Sequence, residues 1–207
     1  MEQTSKYDQI IDAFQELLEN EDIQHISVNQ IALKAGIGKG SIYYYFSSKD
    51  AILEAMIKRT YSHAVSLAKE LQINKNISAA QRIAMIFNAA QSASRDFIHK
   101  SEISKKQSST NGRISDGAFI HQQFMSYVIK ELKPVFSEII SQAIDTGEIT
   151  FEYPKELADI ILIVLTVKLD NILSPATEEE ITRTLQALIS LLERGTNNPL
   201  GAFNLKV

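Results

Sequence analysis

Residues 28–49 read VNQIALKAGIGKGSIYYYFSSK, and this stretch carries the strongest structural signal in the chain. A capping-box pattern at residues 27–30 predicts the start of a short helix. Gly36 ends that helix, because glycine accepts a positive φ without the steric penalty of a Cβ. Ile42 and Phe46 are four residues apart, so both can face inward from a second short helix. The pattern predicts a helix-turn-helix.

Outside this stretch, apolar residues recur at helical spacing along the chain. Capping-box patterns at 5–8 and 47–50 predict a first helix and a long fourth helix that reaches about Leu71. Further helices are expected over residues 83–97, 119–130, 131–146, 154–173 and 177–195. We expect a mobile polar loop over 101–116 and a frayed tail over 196–207. No strand pattern is long enough to assign, so the predicted fold class is all-α.

The composition sets broad limits on the class of protein. Of 207 residues, 44% are apolar and 22% are charged, which is typical of a globular protein. The chain has no cysteine, which excludes disulfides and cysteine-based zinc sites. The N-terminus has no apolar signal segment, and the apolar run 160–167 is much shorter than the roughly 20 residues that cross a bilayer. We therefore expect a cytoplasmic location.

Positive charge is concentrated around the helix-turn-helix. The net charge of the chain is −4 at pH 7, which by itself disfavours nucleic acid as a partner. Residues 23–60, however, contain more lysine and arginine than aspartate and glutamate. This local excess is what binding to DNA phosphates requires.

Residues 28–49 resemble the DNA-binding signature of the TetR (tetracycline-repressor-like) family. The shared features are the glycine turn, the small residues that open the second helix, the Tyr-Tyr-Phe segment and Lys49 at the start of the fourth helix. The resemblance is dense over about residues 10–55 and architectural beyond them. It implies a DNA-binding domain over residues 1–48 and a helical effector-binding and dimerisation domain over residues 49–207.

The second helix of the motif supplies the predicted DNA contacts. Lys39 and Ser41 lie in its first turn, where they can reach base edges or phosphates. Gly40 lets the backbone approach the groove, and Tyr43 and Tyr44 can donate hydroxyl protons to phosphates. The full predicted set is Ser27, Lys39, Gly40, Ser41, Tyr43, Tyr44 and Lys49.

Four positions around the motif carry more detailed expectations. Lys49 and the N–H groups of the fourth helix are expected to bind one phosphate together. Tyr45 is expected to be the core residue among the three tyrosines. Asp22 stands where the family commonly has a glycine that closes the first helix, so we expect a left-handed conformation there. Gly38 is expected to precede the recognition helix without a side-chain cap.

The apolar run 160–167 covers every face of a helix, which a small monomer cannot easily bury. A central core helix is one interpretation. The resemblance favours another, a homodimer whose two recognition helices read a palindromic operator in double-stranded DNA. The predicted dimer interface is Leu162, Leu165, Leu169, Leu185, Leu188 and Leu192.

The middle helices are rich in aromatic residues with a few polar groups among them. That composition suits a pocket for an effector that is mostly apolar, and it equally suits an ordinary core. The candidate pocket residues are Tyr61, Phe87, Gln91, Phe97, Phe119, Phe124 and Tyr127. None of the four histidines has a good metal-ligand spacing to another histidine or a carboxylate, so neither a metal nor another cofactor is expected.

The resemblance implies a ligand-responsive repressor. Without effector the two recognition helices would lie about one DNA turn apart, and effector binding would favour a state in which the fourth helix swings and DNA is released. The sequence does not separate a repressor from an activator. A helical protein-interaction module without specific DNA binding is the alternative from another class. An enzyme is not expected, because the chain has no phosphate loop, nucleophile elbow or HExxH motif.

Overall fold

The computed structural model describes residues 5–105, 113–169 and 176–205, without the side chains of residues 96–118, 168 and 169. Within these ranges every regular element is a helix, which confirms the all-α fold class. The helices are α1 (Lys6–Asn20), α2 (Val28–Lys34), α3 (Lys39–Tyr45), α4 (Lys49–Ile73), α5 (Ala79–Lys105), α6 (Arg113–Asp145), α7 (Pro154–Leu169) and α8 (Glu178–Gly195).

Side-chain caps begin several of these helices. The Ser5 hydroxyl accepts the Asp8 N–H, and Ser27 and Gln30 form a complete capping box at α2. At α4 the cap is Ser48, whose hydroxyl accepts the Ala51 N–H at 3.1 Å. The predicted cap at 47–50 is therefore wrong by one residue. A cap binds one or two free N–H groups of the first turn and so fixes where the helix begins.

The chain forms two compact units, Met1–Thr60 with Ser94–Gln123, and Tyr61–Ala93 with Phe124–Val207. In the first unit, α1 packs on α2 and α2 packs on α3. In the second unit, α7 packs on α8. The predicted domain boundary at residues 48 and 49 coincides with the start of α4, whereas the compact units divide within that helix.

Two expectations about the middle of the chain are wrong. Helix α5 continues to Lys105 and α6 begins at Arg113, so the described ends of the predicted loop 101–116 are helical. Residues 106–112 lie outside the described part of the chain. The helices expected on either side of residue 130 are one helix, α6, which contains Pro134. Pro134 has no N–H, so the carbonyl four residues earlier in the helix has no backbone donor. Pro134 is exposed, so water can bind that carbonyl instead.

The C-terminal tail is ordered through residue 205, so the expectation of a frayed tail is wrong over those residues. Phe203 and Leu205 are buried. The buried carboxylate of Glu193 accepts the backbone N–H of Gly201 at 2.7 Å and that of Phe203 at 3.4 Å. The side chain of Glu193 thus binds the tail to α8 through two hydrogen bonds.

A buried arginine joins four segments of the second unit. Arg82 on α5 is 2% exposed, and its Nη1 donates to Gln142 Oε1 at 3.0 Å. The same nitrogen lies 3.4 Å from the carbonyls of Leu71 and Gln72 at the end of α4. Burial lowers the pKa of Arg82 below its usual range, and the Glu148 carboxylate acts in the opposite direction. An arginine stays protonated in proteins, so this position holds a buried cation.

Candidate nucleic-acid interface

The turn between α2 and α3 is a Schellman motif. Gly36 has φ +67°, and its N–H donates to Leu33 O at 3.1 Å. The Ile37 N–H donates to Ala32 O at 3.0 Å. These two bonds satisfy carbonyls at the end of α2, and the left-handed residue turns the chain sharply into α3. The predicted helix-turn-helix and the role of Gly36 are confirmed.

Helix α3 buries one side and exposes the other. Ile42 and Phe46 are buried, as their spacing predicts. Lys39 and Gly40 are exposed in the first turn, and Tyr44 is 83% exposed. Gly38 precedes the helix without a side-chain cap, as expected. The exposed side of α3 therefore presents the ammonium group of Lys39, the bare backbone of Gly40 and the phenol of Tyr44.

The other predicted contact residues differ in exposure and in whether their polar groups already have partners within the protein. Tyr43 is exposed and Ser41 is partly buried. The Ser27 hydroxyl is exposed but already serves the α2 cap, accepting the Gln30 N–H and donating to Gln30 Oε1 at 2.7 Å. A contact from Ser27 to DNA would have to share this hydroxyl with the cap.

Tyr45 is not the core residue of its segment, so that prediction is wrong. Its side chain is 38% exposed, and its ring meets that of Tyr44 edge-on at 5.0 Å. The buried ring is that of Phe46, which stacks on Tyr7 of α1 at 4.8 Å. The reason is that Phe46 lies one turn after Ile42 and so faces the same side.

Asp22 does not adopt the left-handed conformation expected for it, because the described residues have only Asn197 as a non-glycine with positive φ. The chain leaves α1 at Glu21 in an extended conformation, with φ −128° and ψ 153°. The Asp22 carbonyl then accepts the His25 N–H at 2.9 Å. An extended exit needs no glycine, which explains why this sequence can have an aspartate there.

Lys49 is bound within the protein. Its Nζ donates to the carbonyl oxygen of Ile26 at 3.0 Å and also to that of Ile23. Both carbonyls belong to the connection between α1 and α2. The side chain is partly buried, unlike that of Lys39.

Several other cations of the excess over residues 23–60 form ion pairs. Lys34 lies 2.7 Å from Glu16, and Lys58 lies 2.8 Å from Glu54. Arg59 on α4 lies 2.8 Å from Asp12 on α1. These pairs reduce the charge available to a phosphate, so the local excess overstates the positive surface. Lys39 is an exposed cation at the start of the recognition helix.

Two family models match the chain. Residues 10–56 match bacterial regulatory proteins of the tetR family, and residues 100–190 match the tetracyclin repressor-like C-terminal domain. This chain belongs to the TetR family. It is a transcriptional regulator that binds DNA through the helix-turn-helix described above.

Comparison with individual proteins agrees with membership of the TetR family. The fatty acid metabolism regulator protein of Bacillus subtilis (strain 168) is 24% identical over 147 residues, which cover 70% of this chain and 71% of that protein. The solved structure of a complex of SmeT with triclosan matches with a TM-score of 0.70 at 12% identity, over 98% of this chain and 96% of SmeT. SmeT is the repressor of a Stenotrophomonas maltophilia multidrug efflux pump. The structure of Bacillus subtilis FadR with stearoyl-CoA matches with a TM-score of 0.62 at 22% identity, over 90% of this chain and 97% of FadR.

Five of the candidate effector residues of this TetR-family regulator lie in the second compact unit. The Tyr61 ring contacts that of Phe124 edge-on at 5.7 Å and lies 6.1 Å from that of Tyr127. Phe87 and Gln91 are buried on α5. Gln91 is a buried polar residue, which an apolar core would not need.

The two remaining effector candidates, Phe97 and Phe119, belong to the first compact unit. Phe119 is 41% exposed, and its place in an effector site stays a prediction. Phe97 is among the residues whose side chains the structure does not describe. Across the described ranges, no group of His, Asp or Glu side chains could hold a metal ion. No helix in those ranges has both the length and the apolar character to cross a membrane.

The predicted dimer residues whose side chains are described lie in the core of the subunit, and their place in a dimer interface stays a prediction. The buried residues are Leu162, Leu165, Leu185, Leu188 and Leu192. The side chain of Leu169 is outside the described part. Apolar residues that remain exposed on these helices are Ile160, Ile163 and Leu191, the last two being 51% and 71% exposed. One side of the apolar run in α7 therefore lies in the core of the subunit, and the other side lies at the surface.

Proposed function

We propose that this TetR-family regulator is a homodimeric repressor that binds a palindromic operator in double-stranded DNA. A mostly apolar small molecule would release it. It would act in the cytoplasm, where the DNA lies, and without a catalytic role. The observation that carries the proposal is the exposed side of α3, which presents Lys39, Gly40 and Tyr44 beside a complete Schellman turn.

The proposed contacts differ in what they read. Lys39 can bind guanine acceptors or a phosphate, and Ser41 can bind either kind of acceptor. Gly40 adds no side chain, so the helix can enter the major groove closely. Tyr43 and Tyr44 would donate hydroxyl protons to phosphates, which fixes the position of the helix on the duplex. We retain Ser27 as a weaker candidate because its hydroxyl already caps α2.

The proposed dimer surface is the exposed apolar side of α7 and α8. Ile160 and Ile163 are exposed, and Val164 and Val167 are partly buried. Their spacing of three, four and seven residues places them on one stripe of the helix. Leu191 adds an exposed apolar side chain from α8, which packs on α7. An apolar stripe of this kind is what a second subunit would cover.

The proposed effector has a long apolar part. Tyr61, Phe124 and Tyr127 form an aromatic cluster in the second unit, and Gln91 supplies a buried amide. Rings with a polar group nearby are the usual lining of a site for such a ligand. FadR was solved with stearoyl-CoA, which carries a long apolar acyl chain, and SmeT was solved with triclosan. We propose a fatty acyl chain as the first class to test.

The proposed mechanism is a shift between two states of the dimer. In the DNA-binding state, the recognition helices lie about 34 Å apart, which is one turn of DNA. The second state does not fit the DNA. An effector that binds this state more tightly shifts the population toward it, and the size of the shift is limited by the difference between its affinities for the two states. Helices α4, α5 and α6 each contribute residues to both compact units. Helix α4 directly follows the recognition helix, so we expect the change to pass through α4.

The first experiment measures binding to fluorescent DNA from upstream of the protein's own gene, with random DNA as the control. Ligand-stripped protein is titrated at several salt concentrations. A preference of about 10³ or more with a steep salt dependence supports a specific regulator. Weak and equal binding to both DNAs would show that the upstream DNA does not contain the operator, and other DNA would then be tested. An absence of binding at low salt would favour the helical interaction module.

The second experiment tests the effector class on the DNA complex. Stearoyl-CoA, octanoyl-CoA and free coenzyme A are added to the complex at equal concentrations. Release that increases with chain length, with no release by coenzyme A alone, supports an acyl site. Release by coenzyme A alone would contradict an apolar site, and release by none of the three would reject this ligand class.

A further inference from the structure

We propose that Lys49 is a positioning residue that fixes the helix-turn-helix from within, and that it does not bind a DNA phosphate. The expected effect of Lys49 on operator affinity rests on the proposed function. Its expected effect on the stability of the helix-turn-helix can be tested without DNA. It replaces the role that the resemblance implied for Lys49.

The Lys49 ammonium group has two acceptors within the first compact unit. It donates to the carbonyls of Ile23 and Ile26, which stand on either side of the turn before α2. An ammonium has three N–H donors, so at most one is left for another partner. The side chains of Ile23 and Ile26 are buried, which means that the two carbonyls belong to an anchored segment.

The position of Lys49 in α4 explains why the ammonium turns to these carbonyls. Lys49 is the first residue of a helix of 25 residues. The N-terminus of a helix carries about half a positive charge, so a lysine there is electrostatically unfavourable. Two carbonyl oxygens offset this repulsion. A move of the ammonium to a phosphate would leave both carbonyls without this donor, which destabilises the turn before α2.

The contact connects the start of α4 to the start of α2. Ile26 immediately precedes Ser27, the cap of α2, and α2 packs on α3. Lys49 itself follows α3 by only a few residues. The bridge therefore closes a ring around the helix-turn-helix, and its loss should loosen the orientation of α3.

The test compares Lys49→Met, which keeps the length of the side chain, with Lys39→Met on the exposed side of α3. Without DNA, we expect Lys49→Met to lower the melting temperature and to speed hydrogen exchange over residues 23–34. We expect Lys39→Met to change neither. Unchanged melting and exchange in Lys49→Met would overturn the inference, whatever the protein does with DNA.

The operator-binding arm separates positioning from phosphate contact. A lysine that neutralises one phosphate contributes about 0.9 to the slope of log affinity against log salt. Lys39→Met should lose about that amount, whereas Lys49→Met should lose about tenfold in affinity with the slope unchanged. A slope reduced by about 0.9 in Lys49→Met would overturn the inference.

A third variant keeps the experiment decisive if Lys49→Met folds poorly. Lys49→Arg retains the charge, but its planar guanidinium is not matched to two carbonyls that an ammonium binds. We expect weaker operator binding than wild type at an unchanged slope. Wild-type affinity in Lys49→Arg would indicate a phosphate contact. If wild-type protein has no operator preference, the proposed function fails while the melting and exchange results still decide the role of Lys49.

Discussion

Tyr44 is the most exposed tyrosine of the recognition helix, and the described ring that it contacts is that of its neighbour Tyr45. Its side chain is 83% exposed, so the ring contributes little to the stability of the core. We expect Tyr44→Phe to weaken operator binding about fivefold to tenfold, because one hydroxyl hydrogen bond is worth about 1 kcal/mol. The melting temperature should not change. Fluorescence anisotropy with operator DNA measures the affinity.

Tyr153→Phe is the matched control for Tyr44→Phe, since Tyr153 is also exposed but lies in the second unit. It should bind the operator as wild type does. Unchanged affinity in Tyr44→Phe would remove this hydroxyl from the proposed interface, and a lowered melting temperature would give the residue a structural role instead.

Residue roles could be predicted from the sequence where they depend on local geometry. Ile42 and Phe46 are buried as their spacing requires. The acceptors of Lys49 could not be predicted in the same way, because they lie 23 and 26 residues earlier in the chain. Spacing along one helix carries no information about such a partner.

Gly36 and Gly40 should respond in opposite directions to alanine. Gly36 has φ +67°, and a Cβ there would meet no atom within 4 Å, so the penalty of Gly36→Ala is backbone strain alone. We expect a loss of about 1 kcal/mol in the free energy of unfolding. Gly40 lies within α3, also in open space, so Gly40→Ala should gain up to about 1 kcal/mol from helix propensity.

Denaturant unfolding of the two glycine variants gives both signs in one experiment. DNA binding adds an independent measurement, because the methyl group of Gly40→Ala would stand on the proposed groove side. We expect that variant to be more stable and yet to bind the operator less tightly. Tighter binding would contradict a close approach of the backbone at Gly40.

Arg82 connects the ends of several helices in the second unit, and two effects oppose each other there. Removal relieves the burial of a cation, but it also leaves the Gln142 side chain and two α4 carbonyls without this donor. We expect the second effect to be larger, so Arg82→Met should lose about 2 kcal/mol of unfolding free energy. Lys69→Met, at an exposed position of α4, should lose almost nothing. Equal stability of the two variants would show that the burial cost cancels the hydrogen bonds.

At the scale of elements, helix starts could be predicted better than helix ends. The capping boxes at Ser27 and Thr177 form as their sequences indicate, because each involves four neighbouring residues. The expected loop over 101–116 and the break near Pro134 were inferred from polar composition and from one proline. Both features are compatible with a helix, as residues 101–105 of α5 and Pro134 of α6 show.

At the scale of the whole molecule, the apolar run of α7 shows where sequence reasoning stops. The run predicted that part of the helix would be covered by a second subunit. It could not say which part, because apolar residues in the run cover every face of the helix. Within the subunit, Leu162 and Leu165 are buried, and α7 packs on α8. The side left at the surface is the one that the dimer proposal requires.

Substitution on the two sides of α7 should therefore separate association from folding. Ile163 is 51% exposed, and Ile163→Glu would place a charge on the proposed dimer surface. We expect monomers in light scattering, an unchanged helical circular dichroism spectrum, and much weaker operator binding, since a monomer reads one half-site. Leu165 is fully buried, so Leu165→Ala should instead lose about 2–5 kcal/mol of stability. At a temperature where it is folded, Leu165→Ala should remain a dimer. A dimeric Ile163→Glu protein with normal operator affinity would show that the subunits associate elsewhere.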